Sequence, residues 1–285
     1  MTSSPHPATA AFRYARVLSI AGSDSGGGAG IQADLKTMAA LGCFGMTAIT
    51  ALTAQNTTGV RSIHAVPLQM LVDQIDAVVE DIGVDAVKIG MLHSSDTVRT
   101  VAAAIERHRL PRIVLDPVMI ATSGSVLINE EAIAVIVREL FPKATVITPN
   151  LDEAALLVRG KLHNEADMES AARQLVDMGA PAARVKGGHL AGEMVGDVLF
   201  VRGAQPVWMR APRIHTHNTH GTGCTLSSAI ASNLALGCTL QDAIHRAREY
   251  IRGALEAGAN VRTGAGPGPL NHSYAPHPMK LRPID

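Results

Sequence analysis

A chain of 285 residues, 47% of them hydrophobic, is long enough to bury a substantial core. Its 25 Lys and Arg balance 25 Asp and Glu, so no broad basic field draws it to nucleic acid or anionic lipid, and small molecules are the expected partners. Three scattered cysteines, Cys43, Cys224 and Cys238, with no C-x-x-C among them, suggest neither a disulfide framework nor a cysteine zinc site and fit a reducing cytoplasm.

Residues 1–15 lack the apolar core of a signal peptide and are expected to be a loose tail before a single domain over 16–285. No later run reaches the roughly 18 apolar residues of a membrane helix. From Arg16 onward, short β-branched runs alternate with helical periods. The expected strands are RVLSIAG, MTAITAL, DAVKIG, RIVLDPV, ATVITPN, AARVKGG and DVLFVRG. Between them, Leu71, Ile75, Val78, Val79 and Ile82 recur at helical spacing, as do Ile133, Ile136, Val137 and Leu140. This alternation predicts an α/β fold, a mostly parallel central sheet with helices on both faces. Residues 196–210 read instead as an antiparallel hairpin at a sheet edge. The Gly- and Pro-rich stretch after 262 predicts no regular structure.

Open parallel sheets bind ligands beyond the carboxyl ends of their strands. Those ends here are polar or glycine-rich: AGSDSGGGAG, TAQNTTG, KIGML, LDPVM, TPNLDE and VKGGH. They should converge on one cleft. The loop GSDSGGGAG lacks the following Gly-Lys-Ser/Thr of a Walker A loop and misses the dinucleotide glycine spacing. It enters a helix whose predicted buried stripe is Ile31, Leu35, Met38 and Ala39, leaving Asp34 as a solvated acid or a site residue.

The sequence NTHGTGCTLSS carries the sharpest signal. Gly221 and Gly223 around Thr222 let backbone N–H groups face one point, and the helix beginning near Cys224 adds its positive end, so the segment reads as an anion hole or as an ordinary capped turn. A thiol at a helix N-terminus is expected to have its pKa drawn from about 8.5 toward neutrality. Cys43 and Cys238 read as packing residues. Asn150 and Glu153 have capping-box spacing, yet at a strand-end cleft they, like Asp116, could also orient water around Mg²⁺. His215, His217 and His220 lack a carboxylate or cysteine at familiar ligand spacing, so they are not expected to bind metal.

Taken together, VLSIAGSDSGGGAGIQADLKT, TAITALTAQNTTGV, KIGML, VLDPVM, TPNLDEA, VKGGH and NTHGTGCT resemble, in order and spacing from Val17 to His272, the hydroxymethylpyrimidine/phosphomethylpyrimidine kinases of thiamine biosynthesis, in the ribokinase-like superfamily. The resemblance implies a ribokinase-like fold, ATP with Mg²⁺, a homodimer, and two successive phosphorylations of 4-amino-5-hydroxymethyl-2-methylpyrimidine. It implies Cys224 as base at the anion hole of Gly221, Thr222 and Gly223, where most of the superfamily carries Asp. Gln55 would bond the aminopyrimidine edge, its amide both donating and accepting. Gly22, Asp34, Met91 and Val118 would lie at the substrate. Asn150, Glu153 and Asp116 would take the phosphate end, Glu153 and Asp116 holding Mg²⁺ through water, with Lys186 near the nucleotide phosphates. Thr263 stands where some relatives have a lysine. Pyridoxal kinase activity is the alternative chemistry, and a non-catalytic pyrimidine or nucleotide sensor the alternative class.

Overall fold

The computed structural model describes residues 11–119, 128, 130–188 and 190–284. In chain order the elements are β1 (Phe12–Tyr14), β2 (Arg16–Ala21), α1 (Gly30–Ala40), β3 (Phe44–Ile49), β4 (Ala51–Asn56), β5 (Gly59–Ala65), α2 (Leu68–Asp81), β6 (Ala86–Ile89) and α3 (Ser95–His108). Then follow β7 (Ile113–Leu115), α4 (Glu130–Glu139), β8 (Val146–Ile147), α5 (Leu151–Val158), α6 (Glu165–Asp177), β9 (Ala182–Lys186), β10 (Met194–Val201), β11 (Val207–Pro212), α7 (Thr222–Ala235), α8 (Leu240–Gly258) and β12 (Leu281–Pro283).

Eight strands form the main sheet in the order β11-β10-β9-β8-β7-β6-β2-β3. The pairs from β3 through β9 are parallel, and β10 and β11 close the far edge as the expected antiparallel hairpin. Period-two alternation sorts the side chains into two cores. Leu18, Ile20, Val87, Ile89, Ile113 and Leu115 pack with residues of α2 to α6, while Val17, Ala86, Val114, Val146 and Ala182 pack with α1, α7 and α8. Helices therefore cover both faces, as the alternation predicts. The same alternation sends Ser19, Lys88 and Arg184 to the α1/α7/α8 face, all of them buried.

Several expectations are corrected. The segment MTAITAL is not one strand: β3 stops at Ile49, and β4 leaves the sheet to pair antiparallel with β5, from Ala51↔Ala65 onward. Strand β5 carries no sequence signal because nearly all of it is exposed, with no apolar alternation. Residues 12–14 are not a loose tail: β1 pairs with β12, Tyr14 facing Leu281, and Arg13 bonds Asp85 at 2.7 Å. The C-terminal stretch thus does form a short strand, because β1 completes its hydrogen bonds. Residues 1–10 lie outside those described. On α1, Ile31 and Met38 are buried as predicted, but Ala39 is exposed and Asp34 is buried in its place, because Asp34 has a cationic partner inside.

Ile75 on α2 is fully buried against the sheet. Ile75→Ala should cost about 2–5 kcal/mol through lost burial and the cavity left behind, read as a lower urea midpoint at unchanged m.

Candidate active site

The strand-end loops do converge. A cleft of about 530 Å³ opens beyond the carboxyl ends of the parallel strands, and Gly22, Gln55, Met91, Asp116, Val118, Asn150, Glu153, Lys186 and the whole turn Gly221–Cys224 line it. The ribbon of β4 and β5 forms one wall through Thr53, Gln55, Val60 and Ile63.

Gly221 begins α7 with φ of +83°, a left-handed conformation that glycine adopts without strain. The first intrahelical bond is Thr225 N to Gly221 O at 2.9 Å, so the N–H groups of Gly223 and Cys224 precede it and sit at the positive end of a 14-residue helix. The Thr222 N–H does not join them, because it donates to Thr219 O at 3.2 Å. A side chain on Gly223 would begin 3.3 Å from Lys186 Nζ and 3.4 Å from Asp116 Oδ2, which places the cradle directly beside that pair.

Cys224 is partly exposed in the cleft, and its thiol pKa is pushed up to about 11. Burial is the main cause, and the charges of Asp34 and Asp116 add to it. Lys88 and the Gly30 N–H oppose it without prevailing. The expected fall toward neutrality is therefore corrected: desolvation of a thiolate and the two aspartate charges outweigh Lys88 and the Gly30 N–H. Cys43 is buried, with its sulfur 3.6 Å from Ser232 O, and Cys238 packs on the core at the side of α7 and α8, as expected of packing residues.

Asp34 does not reach the cleft. It is 0% exposed, with Oδ2 bound by Lys88 Nζ at 2.8 Å and Ser19 at 2.5 Å, and Oδ1 by Ser228 at 2.6 Å. Its carboxylate is consumed in holding Lys88, which does line the cleft. Burial would lower the Lys88 pKa, but Asp34, with Cys224 and Asp116, carries it above the ordinary lysine value. A lysine in the middle of an apolar parallel strand was the available signal for this residue.

Asp116, 1% exposed, accepts from Lys186 Nζ at 2.9 Å, Thr148 at 3.0 Å and Ser227 at 3.3 Å. Burial works against its ionisation, yet Lys186 and Lys88 hold the carboxyl below its usual range. Asn150 and Glu153 form the capping box in full: Glu153 N donates to Asn150 Oδ1 at 2.9 Å and Asn150 N donates to Glu153 Oε2 at 2.8 Å. Glu153 is raised to about 7, by burial first and by the neighbouring Asp116 charge, against Lys186. The capping box is thus complete, and its two residues line the cleft together with Asp116.

Two further clusters escaped the sequence analysis. Asp24 and His220 meet at 2.8 Å, and Arg184, Asp197 and Arg248 form a buried group with Arg184–Asp197 at 2.6 Å. His215 lies elsewhere, 3.3 Å from Glu193, so the histidine run is split between separate partners. Arg262, exposed beside Thr263, bonds only locally to Gly264 O at 3.5 Å.

The comparisons with known proteins agree with this geometry. The phosphomethylpyrimidine kinase family model matches residues 24–271. The chain is 49% identical to the hydroxymethylpyrimidine/phosphomethylpyrimidine kinase of Rhizobium meliloti over 90% of its own length and 96% of the relative's. It is 48% identical to a thiamine biosynthesis bifunctional protein of Geobacter sulfurreducens, of which it spans 55%. Among solved structures, the ADP complex of Bacillus subtilis pyridoxal kinase superimposes with a TM-score of 0.83 at 36% identity, over 91% of this chain and 97% of that one. With a ribokinase-like sheet and these matches over nine-tenths of its length, the chain belongs to the hydroxymethylpyrimidine/phosphomethylpyrimidine kinase family.

Proposed function

We propose that the enzyme phosphorylates 4-amino-5-hydroxymethyl-2-methylpyrimidine with ATP, first at the hydroxyl and then at the resulting monophosphate, as part of thiamine diphosphate biosynthesis. The observation that carries this is the meeting of Gln55, Cys224 and the Gly221–Gly223 turn in one cleft at the strand ends. Gln55 offers a donor and an acceptor on one amide, which matches a ring nitrogen beside an exocyclic amine. Met91 and Val118 supply apolar walls for the ring.

In the first step the hydroxyl oxygen bonds to the γ-phosphorus as the bond to the ADP oxygen breaks, and Cys224 takes the hydroxyl proton. The N–H groups of Gly221, Gly223 and Cys224 stabilise the migrating phosphoryl group, with Lys186 beside them. Because burial and two aspartates favour the protonated thiol, the base role requires that proton to pass to solvent water first; Lys88 and the Gly30 N–H are the groups that favour the thiolate. In the second step the nucleophile is already an anionic phosphate and needs little deprotonation.

Asp116 and Glu153 fit Mg²⁺: both offer hard oxygen donors in the cleft, and Asp116's charge helps keep Glu153 protonated, a repulsion that a divalent cation relieves. These two would hold the ion through water, and its charge would neutralise the nucleotide phosphates. The family resemblance also supports a cytoplasmic homodimer. The likeness to a pyridoxal kinase favours a second reading, phosphorylation of the hydroxymethyl group of pyridoxal-type vitamers.

A coupled ADP-release assay with the pyrimidine alcohol, its monophosphate and pyridoxal tests the assignment: the highest kcat/KM should fall on the pyrimidines, and a preference for pyridoxal would reverse the two readings. Cys224→Ala should lower kcat for the alcohol by about 10²–10⁴ and for the monophosphate by less, while Cys224→Asp retains more activity than Cys224→Ala. Equal losses in both steps would assign Cys224 to phosphate binding. Alkylation of Cys224 by iodoacetamide, followed on its own peptide, should be slow at pH 7 and rise toward a midpoint near the thiol's value of about 11. A midpoint near 7 would restore the low-pKa thiolate.

A further inference from the structure

Asp24 and His220 are not among the residues that the family resemblance assigns. The Asp24 carboxylate is nearly fully buried and takes four donors: Gly26 N at 2.8 Å on Oδ1, and on Oδ2 Gly28 N at 3.0 Å, Ala29 N at 2.8 Å and His220 Nε2 at 2.8 Å. Burial disfavours its charge, but the His220 bond and the amides of Ala29 and Gly26 hold the carboxyl below its usual range. One carboxylate therefore organises the glycine-rich loop 22–30 and joins it to the residue immediately before the anion-binding turn.

The two segments are locked together by close contact as well. A Cβ on Gly221 would lie 1.8 Å from Gly28 O, and one on Gly28 would lie 2.5 Å from His220 Cδ2. His220 is held from behind by its own N–H, which donates to Gly268 O at 3.1 Å. Each segment also supports a residue of the proposed chemistry. Loop 22–30 packs Gly28 O against Gly221, at the head of the helix that carries Cys224, and ties Gln55 through Ser25, whose Oγ donates to Gln55 O at 2.6 Å and accepts from Gln55 N at 2.8 Å. The His220 ring nitrogen that meets Asp24 lies 3.5 Å from the Gln55 amide nitrogen.

We propose that Asp24 and His220 form a clasp that fixes the distance between Gln55 and Cys224, and so act as positioning residues for the pyrimidine alcohol rather than for the nucleotide. The cause is geometric: Gln55 sits on the ribbon and Cys224 on α7, and the clasped loop is the element that contacts both. Loss of the bond should let loop 22–30 move as a unit, misplacing the alcohol while Lys186, Asp116 and Glu153, held by bonds of their own that do not involve the loop, stay in place. This inference rests on the pyrimidine kinase assignment above only for the identity of the alcohol.

The test compares wild type, His220→Ala, His220→Gln, Asp24→Asn and the double variant Asp24→Asn/His220→Ala. His220→Ala should raise KM for the alcohol and lower its kcat about tenfold each, with KM for ATP within twofold of wild type. His220→Gln, whose amide can still donate to Asp24, should recover much of the loss. The double variant should be no worse than the worse single one. Hydrogen exchange on ligand-free protein should quicken at least tenfold over residues 22–31 in His220→Ala and stay unchanged in α8. A parallel rise in both KM values, additive losses, no recovery in His220→Gln, or unmoved exchange over 22–31 would each overturn the clasp. Wild type inactive on the alcohol would sink the substrate assignment instead, and the exchange result would still decide the clasp.

Discussion

The constraint on which this structure depends is the placement of charged side chains inside a sheet covered on both faces. Lys88, Arg184 and Lys186 all point from parallel strands to the α1/α7/α8 face, and each is matched by an aspartate: Asp34 at 2.8 Å, Asp197 at 2.6 Å and Asp116 at 2.9 Å. Taking such ions out of water costs several kcal/mol apiece, and replacing a buried pair with apolar residues is often neutral or stabilising. Their presence is therefore better explained by the cleft above them than by stability. Lys88 and Lys186 carry fixed positive charge to the cleft floor, where a polyanionic nucleotide would otherwise meet an apolar sheet.

Helix α7 is the partner that makes this arrangement possible. Its N-terminus supplies the Gly221–Cys224 turn at the cleft, and its next turn supplies Ser227 to Asp116 and Ser228 to Asp34. Small residues along the helix let it approach the sheet closely, and Ala229, Ile230 and Ala231 are fully buried. The cleft-facing end of the helix and the electrostatics of the strands are thus set by one packing contact. The thiol of Cys224 is held in balance by the same contact, with burial and two aspartates raising its pKa against Lys88 and one N–H.

The glycine-rich loop after β2 belongs to the same system. Its glycines permit close approach to Gly221, and Asp24 converts a run of flexible residues into a defined surface by accepting three of its own N–H groups. The network continues through His220 to the Gly221–Cys224 turn and through Ser25 to Gln55. The ribbon that carries Gln55 and the turn that carries Cys224 are coupled by side-chain bonds between loops that are distant in sequence.

Much of this was legible in the residues. Strand-helix alternation determined the doubly covered sheet, because apolar periodicity is a local property, and the hairpin of β10 and β11 followed from its turn. Motif order carried the cleft and part of its lining: Gln55, Met91, Asp116, Val118, Asn150 and Lys186 at or just beyond strand ends, with Glu153 and the Gly221–Cys224 turn in the first turns of the helices that face them. What the tertiary structure alone decided is where charges find partners and how dry their surroundings are. Asp34 turned inward because Lys88, 54 residues away, waited there. The Cys224 thiol is pushed up because burial and two aspartates, which no local pattern records, outweigh Lys88 and one N–H. Strands β1 and β12 exist only through each other, from opposite ends of the chain, and Asp24 met His220 across 196 residues. Local sequence can specify the period of an element and the chemistry of its end, but the free energy of a charge depends on neighbours that only folding brings near.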